Sequence, residues 1–126
     1  MRMLRQLGRE DWILAGLHAL ADDGEDGLRV EPVARGLGVT KGSFYWHFRD
    51  RAGWRQAVLS WWEHRAFADL ARGGPRPPAA GEPDWTAVER AIRLWARKDM
   101  AAAQSLSRLL RERALAAGAE ARRRAA

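Results

Sequence analysis

Hydrophobic residues along this chain recur every three or four positions with polar residues between them, which is the pattern of amphipathic α-helices. The first stripe contains Ile13, Leu17 and Leu20 and follows the acidic residues Glu10 and Asp11. Later stripes keep the same spacing: Val30, Val33, Ala34 and Leu37; Trp54, Val58, Trp61 and Trp62; Val88, Ala91, Ile92 and Trp95; Leu106, Leu109 and Leu110. The pattern predicts an all-α fold.

A glycine separates the second stripe from a short aromatic segment at residues 41–48. Gly38 is expected to end the preceding helix, and Val39 can fill the corner that follows it. Thr40 is predicted to cap the next helix, its side chain accepting a hydrogen bond from the backbone N–H of Ser43. Two short helices joined by such a turn indicate a helix-turn-helix.

The second helix of this motif has two faces of different character. With about 100° of rotation per residue, Phe44 and Phe48 fall on one side, where they can anchor the helix. The other side carries side chains suited to a nucleic acid, because they can reach base edges and phosphates or let the backbone approach them: Lys41, Gly42, Ser43, Tyr45, Trp46 and His47. A helical hairpin that buried the whole aromatic run is the alternative, but so short a helix cannot bury consecutive large rings on every side.

The stretch from Leu28 to Arg51, with its glycine turn and its Ser-Phe-Tyr-Trp-His-Phe helix, resembles the DNA-binding domain of the TetR family of bacterial transcriptional regulators. The resemblance extends without gaps from about Trp12 to Trp62. It implies that Thr40, Lys41, Gly42, Ser43 and Trp46 approach bases, and that Tyr45, His47 and Arg51 grip phosphates. Two positions depart from the family pattern: Arg29 replaces a usual Ser or Thr cap, and Glu25 replaces a usual aromatic residue.

The stripes and the turn residues predict four segments. Residues 1–50 form the three-helix helix-turn-helix domain, and residues 51–72 form a long connecting helix capped by Asp50. Residues 73–83 hold four of the five prolines and are expected to be a flexible linker. Residues 84–126 form a short helical C-terminal part whose first helix is predicted to be capped by Asp84. For this part the resemblance implies a larger domain with an effector pocket and a dimer interface. This part is expected to be either a reduced version of that domain or a truncated one, which makes a small-molecule effector doubtful.

Charge and composition narrow the classes of function. The net charge is +6, yet residues 1–73 are nearly neutral, so the signal is the clustering of cations around the motif: Arg29, Arg35, Lys41, Arg49, Arg51 and Arg55. The chain has no cysteine, and His18 and His64 lack partners at ligand spacing, so no metal site is predicted. Neither a signal peptide nor an apolar run of about 20 residues is seen, which predicts a cytoplasmic protein without a membrane span.

The sequence therefore predicts a sequence-specific regulator that binds double-stranded DNA as a homodimer, acting as a repressor by occupying an operator. No catalytic residue, cofactor or metal is expected, because the titratable residues do not converge at the spacing that catalysis needs. The alternative is a helical protein–protein interaction module that keeps the motif without binding an operator by itself. Oligomeric state separates the two, since one small motif covers too little DNA surface for high specificity.

Overall fold

The computed structural model describes residues 7–126, which are helical and contain no strand. The helices are α1 (Arg9–Asp23), α2 (Val30–Leu37), α3 (Lys41–His47), α4 (Arg51–Ala71), α5 (Trp85–Trp95) and α6 (Met100–Ala125), with a 3-10 turn at Gly24–Gly27. The all-α prediction, with its helix-turn-helix, long connecting helix and helical C-terminal part, is confirmed. Residues 1–6, for which no signal peptide is predicted, lie outside the described residues.

Aspartate side chains cap the last three helices, α4, α5 and α6, at their N-termini. Asp50 accepts a hydrogen bond from the backbone N–H of Gly53 at 2.8 Å, and Asp84 accepts one from Thr86 at 3.0 Å. Asp99, for which the sequence pattern predicts no cap, accepts one from Ala102 at 3.0 Å. Each cap satisfies a backbone donor that has no partner within its helix, and such caps stabilise a helix by about 1 kcal/mol.

Aromatic rings form the centre of the core and hold α3 in place. Phe44 is fully buried, with its ring 5.3 Å from Trp12 and 5.5 Å from Trp54, both edge to face. Phe48 stacks on Phe44, and the indole Nε1 of Trp54 donates to the carbonyl of Trp12 at 2.9 Å. The predicted anchoring side of α3 is therefore the side that the core covers.

The segment 73–83 forms no helix, as its prolines predict, but it is not a free linker. The buried guanidinium of Arg65 in α4 donates to Glu82 at 2.8 Å and to the carbonyl of Arg76 at 3.2 Å. From the other side, a ring nitrogen of His18 in α1 pairs with the carbonyl of Gly81 at 2.8 Å. Hydrogen bonds to two helices thus order the loop, against the expectation of a flexible connection.

The C-terminal helices pack directly on the first part of the chain. Helix α5 contacts α1 and the 3-10 turn, and α6 lies along α4. Arg108 of α6 donates to Glu63 of α4 at 2.8 Å, and this guanidinium lowers the pKa of the Glu63 carboxyl. Further along, Leu115 lines the same groove as Leu70 near the end of α4. Since α6 follows α4 in the same direction, the arginines at 122–124 lie beyond the end of α4 that is remote from α3.

Candidate DNA-binding site

The turn between α2 and α3 depends on a left-handed glycine. Gly38 has φ 72° and ψ 30°, and its N–H donates to the carbonyl of Arg35 at 3.1 Å. The next residue, Val39, donates its N–H to the carbonyl of Ala34 at 3.0 Å and packs against the core. A side chain at Gly38 would meet no atom within 4 Å, so its left-handed backbone, rather than space, is what favours glycine. The predicted turn is confirmed.

Thr40 is the N-cap residue of α3, but the prediction that its side chain makes the capping hydrogen bond is wrong. Thr40 occupies the N-cap position of α3, with an extended backbone, but its side chain accepts no capping hydrogen bond. The N–H of Ser43 donates instead to the backbone carbonyl of Thr40 at 3.1 Å. Because the tight first turn already satisfies that N–H, the Thr40 hydroxyl is not needed as a cap and stays on the exposed side of the motif.

The outer face of α3 carries aromatic rings that the fold leaves in solvent. Trp46 is 85% exposed and Tyr45 is 54% exposed, whereas Phe44 between the helix and the core is fully buried. Lys41 and Gly42 are also exposed, and Ser43 is half-buried. The structure thus brings the side chains that are predicted to contact bases onto one accessible surface. Tyr45 and Trp46 expose adjacent rings, and contiguous apolar patches, unlike singly scattered apolar residues, mark binding surfaces.

Lys41 is only loosely held at this surface. Its ammonium lies 3.7 Å from the carboxylate of Glu31, and both side chains are more than half exposed. Exposed pairs of this kind contribute about 0–1 kcal/mol, so an incoming phosphate or guanine edge can replace the partner at little cost. The geometry leaves Lys41 available to a ligand.

The predicted phosphate contacts His47 and Arg51 are each hydrogen-bonded to a backbone carbonyl, which no sequence pattern indicates. A ring nitrogen of His47 pairs with the carbonyl of Leu7 at 3.0 Å, and the ring is half-buried. The Nε of Arg51 donates to the carbonyl of Leu28 at 2.8 Å, while its side chain remains exposed. Only the Nε of Arg51 is engaged by this hydrogen bond, and His47 is turned partly inward.

Arg55, which the sequence places among the cations of the motif, is turned away from this surface. Its guanidinium pairs with Glu25 and lies over the ring of Trp95, 4.8 Å from the centroid. The cations left exposed around α3 are Arg29, Arg35, Lys41, Arg49 and Arg51. No sequence pattern indicates the inward direction of Arg55, because its partners lie 30 and 40 residues away.

Among residues 7–126, no group of three or more His, Asp or Glu side chains is arranged to hold a metal ion. None of the described helices combines the length and the apolar character that crossing a membrane requires. An open cavity of about 490 Å³ lies between α4, the 73–83 loop and α5.

Comparison with known proteins points to the same motif. Residues 13–58 match the family model of bacterial regulatory proteins of the tetR family. Over 80 residues, or 64% of this chain, the sequence is 32% identical to two proteins of Pseudomonas putida, the HTH-type transcriptional regulator SrpR and the uncharacterized HTH-type transcriptional regulator TtgW. The matches span 35% of SrpR and 56% of TtgW, so the chain covers about a third to a half of these curated relatives.

A solved structure extends the likeness into the C-terminal helices. A Rhodococcus sp. protein assigned to the TetR family of transcriptional regulators superposes with a TM-score of 0.62 at 30% sequence identity. The match covers 81% of this chain and 63% of that one, which is more of this chain than residues 13–58 alone. Residues 13–58 thus match the helix-turn-helix domain of the tetR family of bacterial regulatory proteins, and the structural likeness to a TetR-family protein covers 81% of the chain.

Proposed function

We propose that this protein is a sequence-specific regulator of transcription that binds double-stranded DNA as a homodimer and represses by occupying its operator. The observation that carries the proposal is the outer face of α3, where Trp46 and Tyr45 stand in solvent beside Lys41 while Phe44 anchors the helix from behind. The names of the Pseudomonas relatives, both HTH-type transcriptional regulators, support it. The proposed place of action is the cytoplasm, and the proposed action involves no catalysis.

In the proposed complex α3 enters the major groove. Lys41 and Ser43 read base edges, and Thr40 and Trp46 contact bases from either side of them. A Cβ at Gly42 would have only the Thr40 hydroxyl nearby, at 3.8 Å, so packing within the protein does not require a glycine there. In the proposed complex the missing side chain lets the helix backbone approach the DNA. Tyr45, Arg51 and the unengaged edge of His47 hold phosphates and fix the register.

A second copy is needed because a single α3 contacts too few base pairs for high specificity. Two recognition helices must lie about 34–36 Å apart to enter successive major grooves. The proposed dimer surface is the exposed part of α6 together with its groove beside α4, where Leu110 is 39% and Leu115 is 60% exposed. Apolar side chains exposed on one long helix are suited to a two-fold contact with the same helix of a second copy.

A small-molecule effector is not part of the proposed mechanism. The cavity beside α4 has a volume in the range of small-molecule sites, but the partly buried charges on its wall are already paired. Glu89 accepts from Arg113 at 2.7 Å and from Arg93 at 3.0 Å, and Arg113 is the main cause of the lowered pKa of the Glu89 carboxyl. Operator binding is accordingly expected from the purified chain without an added ligand.

Base contacts and phosphate contacts can be told apart by substitution. Lys41→Ala is expected to reduce discrimination among operator variants by roughly 1–3 kcal/mol at the base pair that it reads. Tyr45→Phe is expected to weaken all DNA sequences by a similar factor, because phosphates carry no sequence information. Binding of both variants to a panel of single-base operator changes is the measurement. Identical affinity profiles for the two variants would contradict the assigned roles.

Gly42→Ala separates folding from binding. Alanine has a higher helix propensity than glycine, so the variant is expected to be as stable as the natural protein or more stable, by up to about 1 kcal/mol. Its new methyl group projects from the exposed face, so operator affinity is expected to fall. Thermal unfolding and DNA titration of one preparation give both values. Unchanged affinity would mean that DNA does not approach the backbone at this residue.

A further inference from the structure

One carboxylate joins three separate parts of the chain, which are the 3-10 turn, α4 and the residues after α5. Glu25 lies in the 3-10 turn before α2 and accepts a hydrogen bond from Arg55 of α4. Lys98, which follows α5, places its ammonium 2.8 Å from the other oxygen of the same carboxylate. The Glu25 side chain is mostly buried, so both cations meet it where water screens them less than at an open surface.

An aromatic ring and a second arginine hold the same region. The guanidinium of Arg55 lies over the ring of Trp95, which belongs to α5 and is buried. Arg51 lies one helical turn before Arg55 in α4 and donates to the carbonyl of Leu28, at the other end of the 3-10 turn. The segment that leads into α2 is therefore attached to α4 at both its ends and to the end of α5 through Lys98.

Charge favours keeping these contacts made at neutral pH. The ammonium of Lys98 and the guanidinium of Arg55 hold the pKa of Glu25 below its ordinary value, against the opposing effect of burial. The carboxylate therefore stays ionised and keeps both partners. Lys98 itself is 64% exposed and has no place in the core, so its contact with Glu25 is not needed to bury apolar surface.

The position of this contact matters because the 3-10 turn leads into α2, which packs on α3, whereas Lys98 lies between α5 and α6, which pack on each other as well as on α1 and α4. In the proposed dimer α6 fixes one copy against the other, and α3 reads the DNA. A change in the angle between the C-terminal helices and the motif would shift the two copies of α3 relative to each other.

We infer that Glu25, Arg55 and Lys98, with Trp95 beneath Arg55, form a clamp that positions the recognition helix against the C-terminal helices and so sets the distance between half-sites that the protein accepts. These are positioning residues, not DNA contacts. The inference rests on the DNA-binding function and the dimer proposed above.

The first test uses a panel of operators whose half-sites are moved apart one base pair, or about 3.4 Å, at a time. The natural protein should bind one spacing best. Lys98→Met keeps most of the aliphatic stem but removes the charge, and should reduce the preference for the best spacing over its neighbours by at least about fivefold, the lower end of coupling between sites. Lys98→Arg should restore the preference, because it retains a cation within reach of Glu25.

Arg97→Met is the matched control. Arg97 is the neighbouring exposed cation, and its side chain has no hydrogen bond or ion pair among the described residues, so the variant removes the same charge without touching the clamp. Its spacing preference should equal that of the natural protein. Equal loss in Lys98→Met and Arg97→Met would assign the effect to overall charge and overturn the clamp.

The second test does not need DNA. The chain contains no cysteine, so the double variant Gly36→Cys, Arg90→Cys carries spin labels at two chosen exposed positions, on α2 and on α5, outside the proposed dimer surface. Excess unlabelled chain ensures that one labelled copy is measured per assembly. Pulsed electron spin resonance should give a narrow distance distribution that Lys98→Met broadens and Lys98→Arg does not.

The outcomes of the two tests distinguish a failure of the clamp from a failure of the proposed function. An unchanged distance distribution in Lys98→Met would overturn the clamp whether or not the protein binds DNA. A broadened distribution with an unchanged spacing preference would overturn its effect on half-site spacing. Absence of any DNA binding by the natural protein would refute the proposed function, and the distance measurement would still decide the clamp.

Discussion

Phe44→Ala is expected to lower the free energy of unfolding by roughly 3–5 kcal/mol. The ring is fully buried and packs edge to face against both Trp12 and Trp54, so its removal leaves a cavity that these rigid indoles cannot close. Chemical denaturation followed by helical circular dichroism measures the loss. A variant this destabilised also loses DNA binding, because α3 has no other large anchor than Phe48 beside it.

Trp46→Ala is the matched control, since it removes a larger ring two residues away on the same helix. Trp46 is almost fully in solvent, and substitutions at such positions change stability by about 0.5 kcal/mol or less. Its expected defect is in operator affinity. A loss of stability in Trp46→Ala as large as that in Phe44→Ala would mean that the assignment of the two faces of α3 is reversed.

The double variant Leu110→Glu, Leu115→Glu is expected to be a folded monomer whose operator affinity falls by roughly 10²–10⁴-fold, because the linked second half-site is lost. Both leucines are exposed on α6, so charges there cost the isolated fold little but oppose an apolar contact between copies. Sedimentation equilibrium gives the oligomeric state, and DNA titration gives the affinity.

Leu106 belongs to the same predicted stripe as Leu110, but it is less suitable than Leu110 for this test. Its side chain is half-buried against the core, so Leu106→Glu would damage folding as well as assembly. Leu94→Glu is the control for this double variant, because Leu94 is 58% exposed but lies on α5 rather than on the proposed interface. A natural protein that sediments as a monomer at micromolar concentration would contradict the dimer and, with it, repression by this chain alone.

The parts of the fold that follow from local spacing could be predicted. Buried residues recur where the stripes place them, for example at Ile13, Leu17 and Leu20 of α1. Helix starts at Asp50 and Asp84 follow from side-chain capping, which depends only on the next three residues. The two faces of α3 follow from helical rotation alone.

What could not be predicted depends on residues that only the folded chain brings together. The carbonyl partners of His47 and Arg51 are 40 and 23 residues away, and the Glu25–Lys98 pair joins the motif domain to the C-terminal part. The proline-rich loop is ordered because a buried arginine of α4 faces it, which its own composition does not indicate. The Thr40 prediction was wrong because two oxygens of one residue compete for the Ser43 N–H, and the backbone oxygen prevails.

Selection of bound fragments from a random pool of double-stranded DNA, followed by footprinting of the selected sequence, tests the central proposal most directly. The predicted result is one enriched sequence with two-fold symmetry, protected at two half-sites about one helical turn or a multiple of it apart. Lys41→Ala should alter the enriched bases within each half-site. Recovery of unenriched DNA, bound with the salt dependence of plain phosphate attraction and without half-sites, would contradict sequence-specific regulation and favour a protein-interaction module.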